Sequence, residues 1–491
     1  MSETDLLDSP EAGGTAIRGV LLRTILFGAG LLVSLATVPF LIRHLGPVDY
    51  GYYVTVSAIV FVIAGVTEGG LTNLGIRHYS AGSDPEERAV IVGNLVGFRL
   101  MATTAALAAV TGAAALGGAA HEVVVGIPIY GAGMLFSMIS MTYAVPLQAQ
   151  LRLGIASGLE FLRQLVNAAG TLALVLAGAG LYAFFGIWVV ACAFVTVATA
   201  AIVRRTVSIR PAFDWPTWRR YLGEALAYGI AAAAALVYFR VAASLMTFLS
   251  DDVQTGYFAM AFRVLETGTM VPLLLVSSVF PILARAASTD RSRLRYAAQK
   301  VGEVGFIAGL GLALVLIVGA KVVVDVVGGP AFGPAVPVLR VQAAVLIATV
   351  FVMTWSMLLL SLDEQRALLA INGTAVIVSL VGSFALIPAH GAIGGSIAVL
   401  IAEVLVGSAS VYVLWRRHRD VAPDLRPLWK VVAAGLVAAA ASAPLPDVPA
   451  TVVAAAVYAA ALLALRAVPM ELWHALRVSR SDRDAPLGSQ P

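Results

Sequence analysis

The sequence contains many uninterrupted apolar segments of twenty or more residues, and they restrict what the chain can fold into. An α-helix rises 1.5 Å per residue, so about 20 residues cross the roughly 30 Å hydrocarbon core of a bilayer. Of the 491 residues, 60% are hydrophobic and only 12% are charged. So few polar residues cannot cover a soluble protein of this length. The sequence therefore predicts an all-α integral membrane protein.

We predict fourteen transmembrane helices from these segments. The continuous apolar runs differ from the ten-residue alternating strands of a membrane β-barrel, which excludes that class. The predicted spans are residues 19–42, 50–72, 89–117, 122–148, 158–180, 182–203, 222–248, 252–283, 298–320, 335–361, 366–388, 391–416, 427–445 and 450–468.

The positions of Arg and Lys predict the orientation of these spans. Twenty-five basic residues fall on one side of the membrane, whereas the other side carries only Arg43 and Lys321. Because basic loops stay in the cytoplasm, both termini are predicted to be cytoplasmic. The acidic start MSETDLLDSPEAGG lacks the basic n-region of a secretory signal. The marked excess of Arg over Lys hints at a GC-rich bacterial genome, and we expect a multi-pass protein of the bacterial inner membrane.

Two similar turns indicate an internal repeat. FLIRHLGPVDYGYYV (40–54) and TFLSDDVQTGYFAM (247–260) align with Gly51 opposite Gly256, and each turn opens the second helix of a six-helix half. A parallel repeat of this kind is common in membrane transporters. The predicted organisation is a tail at 1–18, an N-lobe at 19–203, a cytoplasmic linker at 204–221, a C-lobe at 222–416, spans thirteen and fourteen at 417–468, and a tail at 469–491.

The motifs of common enzymes are missing from the sequence. Each of the three lysines is followed by valine, so no phosphate-binding GK[ST] motif is present, and there is no HExxH or GxSxG motif. Asp251 and Asp252 stand in a short predicted outer turn, which is a poor setting for a metal-dependent glycosyltransferase. The single Cys192 lies in an apolar span. We expect no catalytic residue, metal, cofactor, ATP or nucleic acid.

Three arginines are predicted to lie near the middle of the membrane. Arg99, Arg240 and Arg263 are roughly 15, 12 and 16 Å from the nearest span end. Each central arginine costs about 2.5 to 3.5 kcal/mol on insertion scales, so such residues usually face a water-filled cavity. Arg163 and Arg340 lie about one and a half turns from a span end, and long side chains there can reach the interface. Whether these two face a cavity stays open.

Acidic residues lie near some of these arginines. Glu266 shares a helix face with Arg263, which either locks helix packing or positions Arg263 in a cavity. Arg240 and Arg99 have no acidic residue three or four positions away, so an excess of positive charge remains. Guanidinium matches phosphate oxygens two at a time, and we expect an anionic cargo at Arg263, Arg240 and Arg99, with Glu266 positioning Arg263.

Other charged residues extend this polar lining or belong to the interface. Arg23 and Glu68 lie towards the predicted cytoplasmic side and either line the cavity or contact the interface. Glu403 lies deep in span twelve and is either a packing partner or an ion-coupling carboxylate; Glu68 is a second candidate for ion coupling.

Three segments resemble a known family. FLIRHLGPVDYGYYVTVSAI (40–59), GYFAMAFRVLE (256–266) and GGPAFGPAVPVLRV (328–341) are similar to the polysaccharide and lipid-linked oligosaccharide flippases of the multidrug/oligosaccharidyl-lipid/polysaccharide exporter superfamily. The resemblance implies two six-helix lobes around a central cationic cavity that opens alternately to each side. It implies outward movement of an undecaprenyl-pyrophosphate-linked oligosaccharide, a precursor of surface polysaccharide. Family members often carry an acidic residue in the middle of span seven, where this chain has Arg240, which puts ion coupling in doubt.

Several alternatives stay open. A lipid II flippase uses the same chemistry with a different sugar, whereas multidrug cation antiport fits less well with a basic interior. A glycan polymerase or ligase should have large outer loops, and the longest here is about fourteen residues, 321–334. A structural partner of a glycan-assembly complex is a further interpretation. The expected partners are a polyprenyl-linked glycan, membrane lipids and the polymerase or ligase machinery.

Overall fold

The computed structural model describes residues 10–467 except 69, 83, 151, 205–209, 271, 274–282, 284–285 and 287–289. Almost all of the described chain is helical. The helices are α1 (Pro10–Glu68), α2 (Leu71–Ala81), α3 (Pro85–Leu116), α4 (His121–Tyr143), α5 (Val145–Ala149), α6 (Leu153–Leu176), α7 (Leu181–Val203), α8 (Trp215–Leu249), α9 (Asp252–Gly268), α10 (Arg291–Val318), α11 (Ala320–Val327), α12 (Val336–Ser361), α13 (Gln365–Arg417), α14 (Leu428–Ser442) and α15 (Asp447–Ala464). A 3-10 helix, Pro330–Ala335, precedes α12.

The predicted fold class, an all-α membrane protein with about fourteen membrane helices, is confirmed. Within the described residues, nine helices are long and apolar enough to cross a membrane, and two shorter apolar helices add to them. α1 and α13 each consist of two helices joined at a glycine, and each of these helices corresponds to one predicted span. α1 breaks at Gly46 (φ 69°) and α13 breaks at Gly391 (φ 53°), in the left-handed region that glycine adopts most readily.

Three parts of the sequence prediction differ from the observed elements or lie outside the described part. The short helices α2 and α11 are additional to the predicted spans, and the end of predicted span 122–148 forms a separate short helix, α5. α1 begins at Pro10, inside the predicted N-terminal tail. α9 covers the first part of predicted span eight, and most of 271–289 lies outside the described residues, as does the C-terminal tail from 468.

The described chain divides into two compact units. The first contains the described residues of Met1–Met260, Asp325–Pro334 and Asn372–Ala398, and the second contains those of Ala261–Val324, Ala335–Ile371 and Val399–Pro491. In the second unit, α14 and α15 pack on α10, where the Tyr458 hydroxyl donates to the Ile307 carbonyl at 2.9 Å. The division into an N-lobe at 19–203, a linker at 204–221 and a C-lobe at 222–416 stays a prediction.

The two glycines aligned by the sequence repeat are in contact within the first unit. A Cβ atom built on Gly51 would lie 2.9 Å from the Gly256 nitrogen, and one built on Gly256 would lie 1.9 Å from the Pro47 carbonyl oxygen. Tyr50 and Tyr257 both contact the Phe332 ring edge-on, with centroids 6.5 and 6.3 Å away. The two turns therefore meet backbone to backbone, next to a buried aromatic residue.

The described end of the predicted linker is bound along α3. The Ala212 amide donates to the Gly93 carbonyl at 2.9 Å, and the Asp214 amide donates to Oδ1 of Asn94 at 3.1 Å. A Cβ atom on Gly97 would lie 2.0 Å from the Ala212 carbonyl oxygen. Asp214 then caps α8 by accepting from the Thr217 amide. α3 thus fixes the point at which α8 begins.

The close contact at Gly256 leads to a stability prediction. We expect Gly256→Ala to destabilise the protein by about 1–3 kcal/mol, because the added methyl group overlaps the Pro47 backbone and the helices must move apart. The measurement is the thermal unfolding midpoint of the detergent-solubilised protein. The matched control is Gly373→Ala in α13, where no atom lies within 4 Å of the added Cβ and where alanine favours the helix. Equal midpoints for the two variants would contradict the prediction.

Candidate functional site

Arg99 lies fully inside the first unit, where its guanidinium is bonded on both terminal nitrogens. Its side chain is 1% exposed. Nη1 donates to the Met138 carbonyl at 3.0 Å and to the Thr142 hydroxyl at 2.6 Å, and Nη2 donates to the Glu68 carboxylate and to the Thr72 hydroxyl. These contacts join α1, α2, α3 and α4.

Glu68 also organises the backbone at this cluster. Its second carboxylate oxygen accepts from the Thr72 amide at 3.0 Å, at the beginning of α2. The chain reaches α2 through Gly70, whose φ of 81° is in the left-handed region. In this conformation Arg99 and Glu68 neutralise each other, so Arg99 is available to a cargo only if the cluster opens.

Arg240 lies in the C-terminal third of α8 and is half-buried. Its guanidinium carbon is 4.7 Å from the centre of the Phe61 ring on α1, a distance at which the ring face attracts a cation. A hydrogen bond of 2.8 Å between Thr55 and Thr247 holds the same two helices together about two turns further along. The sequence thus places a cation inside predicted span seven, and an aromatic face contacts it there.

A second arginine lies close to the same aromatic residues. The Phe61 ring is 6.4 Å from Trp188 on α7, and the guanidinium of Arg163 lies 4.7 Å from the Trp188 ring. Arg163 also pairs with Glu160, with Nε donating to Oε2 at 3.0 Å. Arg240, Phe61, Trp188 and Arg163 form a continuous row, which we call the arginine–aromatic row.

The pair of Arg263 and Glu266 predicted from the sequence spacing is present in α9. Nη1 of Arg263 donates to Oε2 of Glu266 at 2.9 Å. The Arg263 side chain is 35% exposed and that of Glu266 is 16% exposed. Because these residues are three positions apart on one helix, the contact needs no tertiary partner. The pair belongs to the second unit, and Glu266 lowers the cost of placing the Arg263 cation in an apolar helix.

The remaining candidate residues are in different environments. Glu403 in α13 is 1% exposed, and Arg340 in α12 is exposed. Arg23 lies on α1, but its side chain is outside the described part of the structure. The described residues contain no group of three His, Cys, Asp or Glu side chains that could hold a metal ion.

Sequence reasoning missed two features of this site. Glu68 and Arg99 are 31 residues apart, so no local spacing indicates their pairing. Phe61 and Trp188 fall within apolar spans, and nothing in the sequence pattern indicates that they contact the intramembrane arginines. The one general hint is that Arg240 has no acidic residue three or four positions away, so its partner had to come from another helix.

The buried cluster gives a prediction about how Arg99 and Glu68 together stabilise the fold. We expect Arg99→Gln and Glu68→Gln each to destabilise the protein by about 3–5 kcal/mol, because each leaves a buried charge without its partner. The double variant should lose less than the sum of the two single variants, since it leaves neither charge unpaired. Protein level and thermal midpoint in detergent are the measurements. Additive losses would show that the two side chains act independently.

Comparison with solved structures shows the fold of a known transporter superfamily. Lipid II flippase MurJ in an inward closed conformation superposes with a TM-score of 0.75 at 11% identity, covering 91% of this chain and 98% of that chain. An inward-facing multidrug resistance MATE family transporter gives 0.60 at 16% identity, covering 82% and 98%. A MOP superfamily transporter from Pyrococcus furiosus, whose binding pocket is described as having reverse polarity, gives 0.57 at 15% identity, covering 86% and 98%.

A comparison with families of sequences gives a match over more than half of the chain. The family model described as Polysaccharide biosynthesis protein matches residues 16–287. A search of curated proteins finds no match. The matched region contains α1 to α9, including the Arg99 cluster, the arginine–aromatic row and the Arg263–Glu266 pair. The chain belongs to the polysaccharide biosynthesis protein family and has the membrane-transporter fold of the MOP superfamily.

Proposed function

We propose that this protein is a flippase for an undecaprenyl-pyrophosphate-linked oligosaccharide, a precursor of surface polysaccharide. It would carry the glycan and its pyrophosphate from the cytoplasmic to the outer leaflet of the bacterial inner membrane by alternating access, with both termini in the cytoplasm. The lipid tail would stay in the bilayer. This activity needs no covalent chemistry from the protein, and a non-enzyme role is part of the proposal.

The observation that carries the proposal is the position of Arg240. It lies roughly 12 Å from the end of predicted span 222–248, it is half-buried, and its guanidinium lies against the Phe61 ring. A ring face attracts a cation and orients its plane. The planar fork of a guanidinium matches two oxygens of an oxyanion at once. A pyrophosphate is the charged group that a lipid-linked glycan precursor brings into the membrane.

The other candidates take different roles in this proposal. Arg263 would contact the anionic headgroup during the cycle, held in position by Glu266 at 2.9 Å. Arg99 and Glu68 would maintain the fold of the first unit, because they are bonded to each other. We assign Glu403 to helix packing rather than ion coupling. The role of Arg23 as part of the cytoplasmic lining stays a prediction.

A lipid II flippase is the second candidate function. It is supported by the similarity in fold to MurJ over 91% of this chain, and lipid II presents the same pyrophosphate to the protein. The family match favours polysaccharide precursors. A glycan polymerase or ligase is less well supported, because the longest predicted outer loop is occupied by α11 and a short 3-10 helix. Polymerase or ligase machinery is instead a proposed partner of the flippase.

The test combines gene deletion with arginine variants. In the deletion strain, an impermeant sugar-oxidising label should find the lipid-linked glycan on the cytoplasmic leaflet and little on the outer leaflet. We expect Arg240→Ala to restore less than about one tenth of the export that the native gene restores, since a loss of about 1.4 kcal/mol of stabilisation is tenfold in rate. Arg240→Lys should restore more than Arg240→Ala, because it keeps the charge but loses the planar fork.

The control variant is Arg152→Ala, which removes an exposed arginine outside the predicted spans. It should export normally at the same protein level. Full export by Arg240→Ala at normal protein level would reject the role of Arg240. Unpolymerised glycan accumulating on the outer leaflet of the deletion strain would favour a polymerase or ligase, and trapped lipid II would favour the second candidate.

A further inference from the structure

An apolar groove with a volume of about 550 Å³ lies in the second unit, between α12 and the second half of α13. None of its lining residues belongs to the arginine–aromatic row or to the Arg263–Glu266 pair. Its lining residues are Ala344, Ile347, Ala348, Phe351, Leu400, Glu403, Val404, Gly407, Ser408, Val411, Tyr412, Trp415 and Leu425.

The spacing of the lining residues explains the shape of the groove. On α12 and on α13 they recur every three or four positions, so each set lies on one face of its helix. Ala344, Ala348 and Gly407 are small, which leaves space between the two helices. From Leu400 to Trp415 the groove wall runs roughly 22 Å along α13 at 1.5 Å per residue. One leaflet of hydrocarbon is about half of 30 Å, so the groove is long enough for a lipid tail in one leaflet.

The end of the groove on the arginine-rich side of the membrane is aromatic and cationic. The Arg416 guanidinium carbon is 5.9 Å from the centre of the Tyr412 ring, which lines the groove. Trp415 Nε1 donates to the Pro423 carbonyl at 3.2 Å, and this contact holds the following loop, with Leu425, at the groove. Aromatic rings with nearby arginine are typical of the boundary between hydrocarbon and headgroups. This end of the groove, which we call its mouth, therefore combines apolar lining residues with the positive charge of Arg416.

We infer that this groove is a binding site for an anionic phospholipid of the leaflet on the arginine-rich side, with one acyl chain along α12 and α13 and its phosphate at Arg416. A cationic amphiphile fits less well, because the only carboxylate in the lining, Glu403, is 1% exposed and Arg416 stands at the mouth. A fully extended polyprenyl chain is longer than the groove. The bound lipid is a resident of the protein, not its cargo.

This inference does not depend on the proposed flippase activity. The groove and Arg416 belong to the second unit and are outside the part of the chain that matches the family model. Lipid binding is measured on the purified full-length protein without any glycan. Loss of lipid binding and loss of glycan export are therefore distinguishable results.

The experiment uses the full-length protein in phosphatidylcholine vesicles containing a small fraction of phosphatidylglycerol with a diazirine at the end of one acyl chain. After irradiation, mass spectrometry of peptides locates the label. We expect labelling concentrated on residues 344–351 and 400–415. Unlabelled phosphatidylglycerol should compete, and phosphatidylcholine with the same acyl chains should not.

Variants test the groove and its mouth separately. Ala348→Trp fills the groove and should lower labelling about tenfold, the effect of removing a large apolar contact. Ser408→Trp fills the groove from an exposed position. It tests the same groove independently if Ala348→Trp does not fold. Arg416→Gln should lower labelling about fivefold, because one arginine contributes about 1 kcal/mol to attraction of an anionic lipid. The matched controls are Val381→Trp, on an exposed apolar face of α13, and Arg152→Gln.

Three results would overturn the inference. The first is labelling spread equally over exposed apolar helix faces, such as those around Val381 and Leu436. Such labelling is expected when bulk lipid surrounds the protein without a specific site. The second is unchanged labelling in both tryptophan variants when their thermal midpoints match that of the native protein. The third is stronger competition by polyprenyl phosphate than by phosphatidylglycerol, which would make the groove a cargo site.

Discussion

The cost of placing charge in hydrocarbon governs this protein more than any other constraint. Water cannot solvate an arginine at mid-membrane depth, so the fold must supply a partner or a polar cavity. The chain surrounds two of the arginines that are predicted to lie near the middle of the membrane in two different ways. Arg99 is bound by a carboxylate, two hydroxyls and a carbonyl, whereas Arg240 lies against an aromatic ring. The first environment closes around the cation and ties four helices together, while the second supports the guanidinium from one face.

The same constraint explains why the predicted spans agree well with the observed helices. In hydrocarbon every backbone amide must be bonded within its own segment, so length and polarity alone identify a membrane helix. The sequence could not show that the break between spans one and two, and the break between spans eleven and twelve, each occur at a single glycine. Those features depend on the backbone angles of Gly46 and Gly391, and a glycine in the sequence does not reveal its φ angle.

The site was only partly predictable for a similar reason. The Arg263–Glu266 contact follows from a spacing of three on one helix and is present. The Arg99–Glu68 contact joins separate helices, so it depends on how α1, α2 and α3 pack. The contact of Arg240 with Phe61 also joins separate helices, and phenylalanine in an apolar span gives no polar signal. Local pairs can be inferred from sequence, while pairs between helices need the tertiary structure.

The contact between Gly51 and Gly256 differs mechanically from an ordinary helix interface. Most helix pairs are interlocked by side chains, and moving one helix along the other requires several side chains to change rotamer together. Here backbone meets backbone, and a Cβ on Gly256 would already lie 1.9 Å from the Pro47 oxygen. With no side chain on either glycine, no rotamer has to change at this point when the two turns slide or separate. At this point the side chains of Gly51 and Gly256 present no steric barrier to movement of one backbone segment along the other.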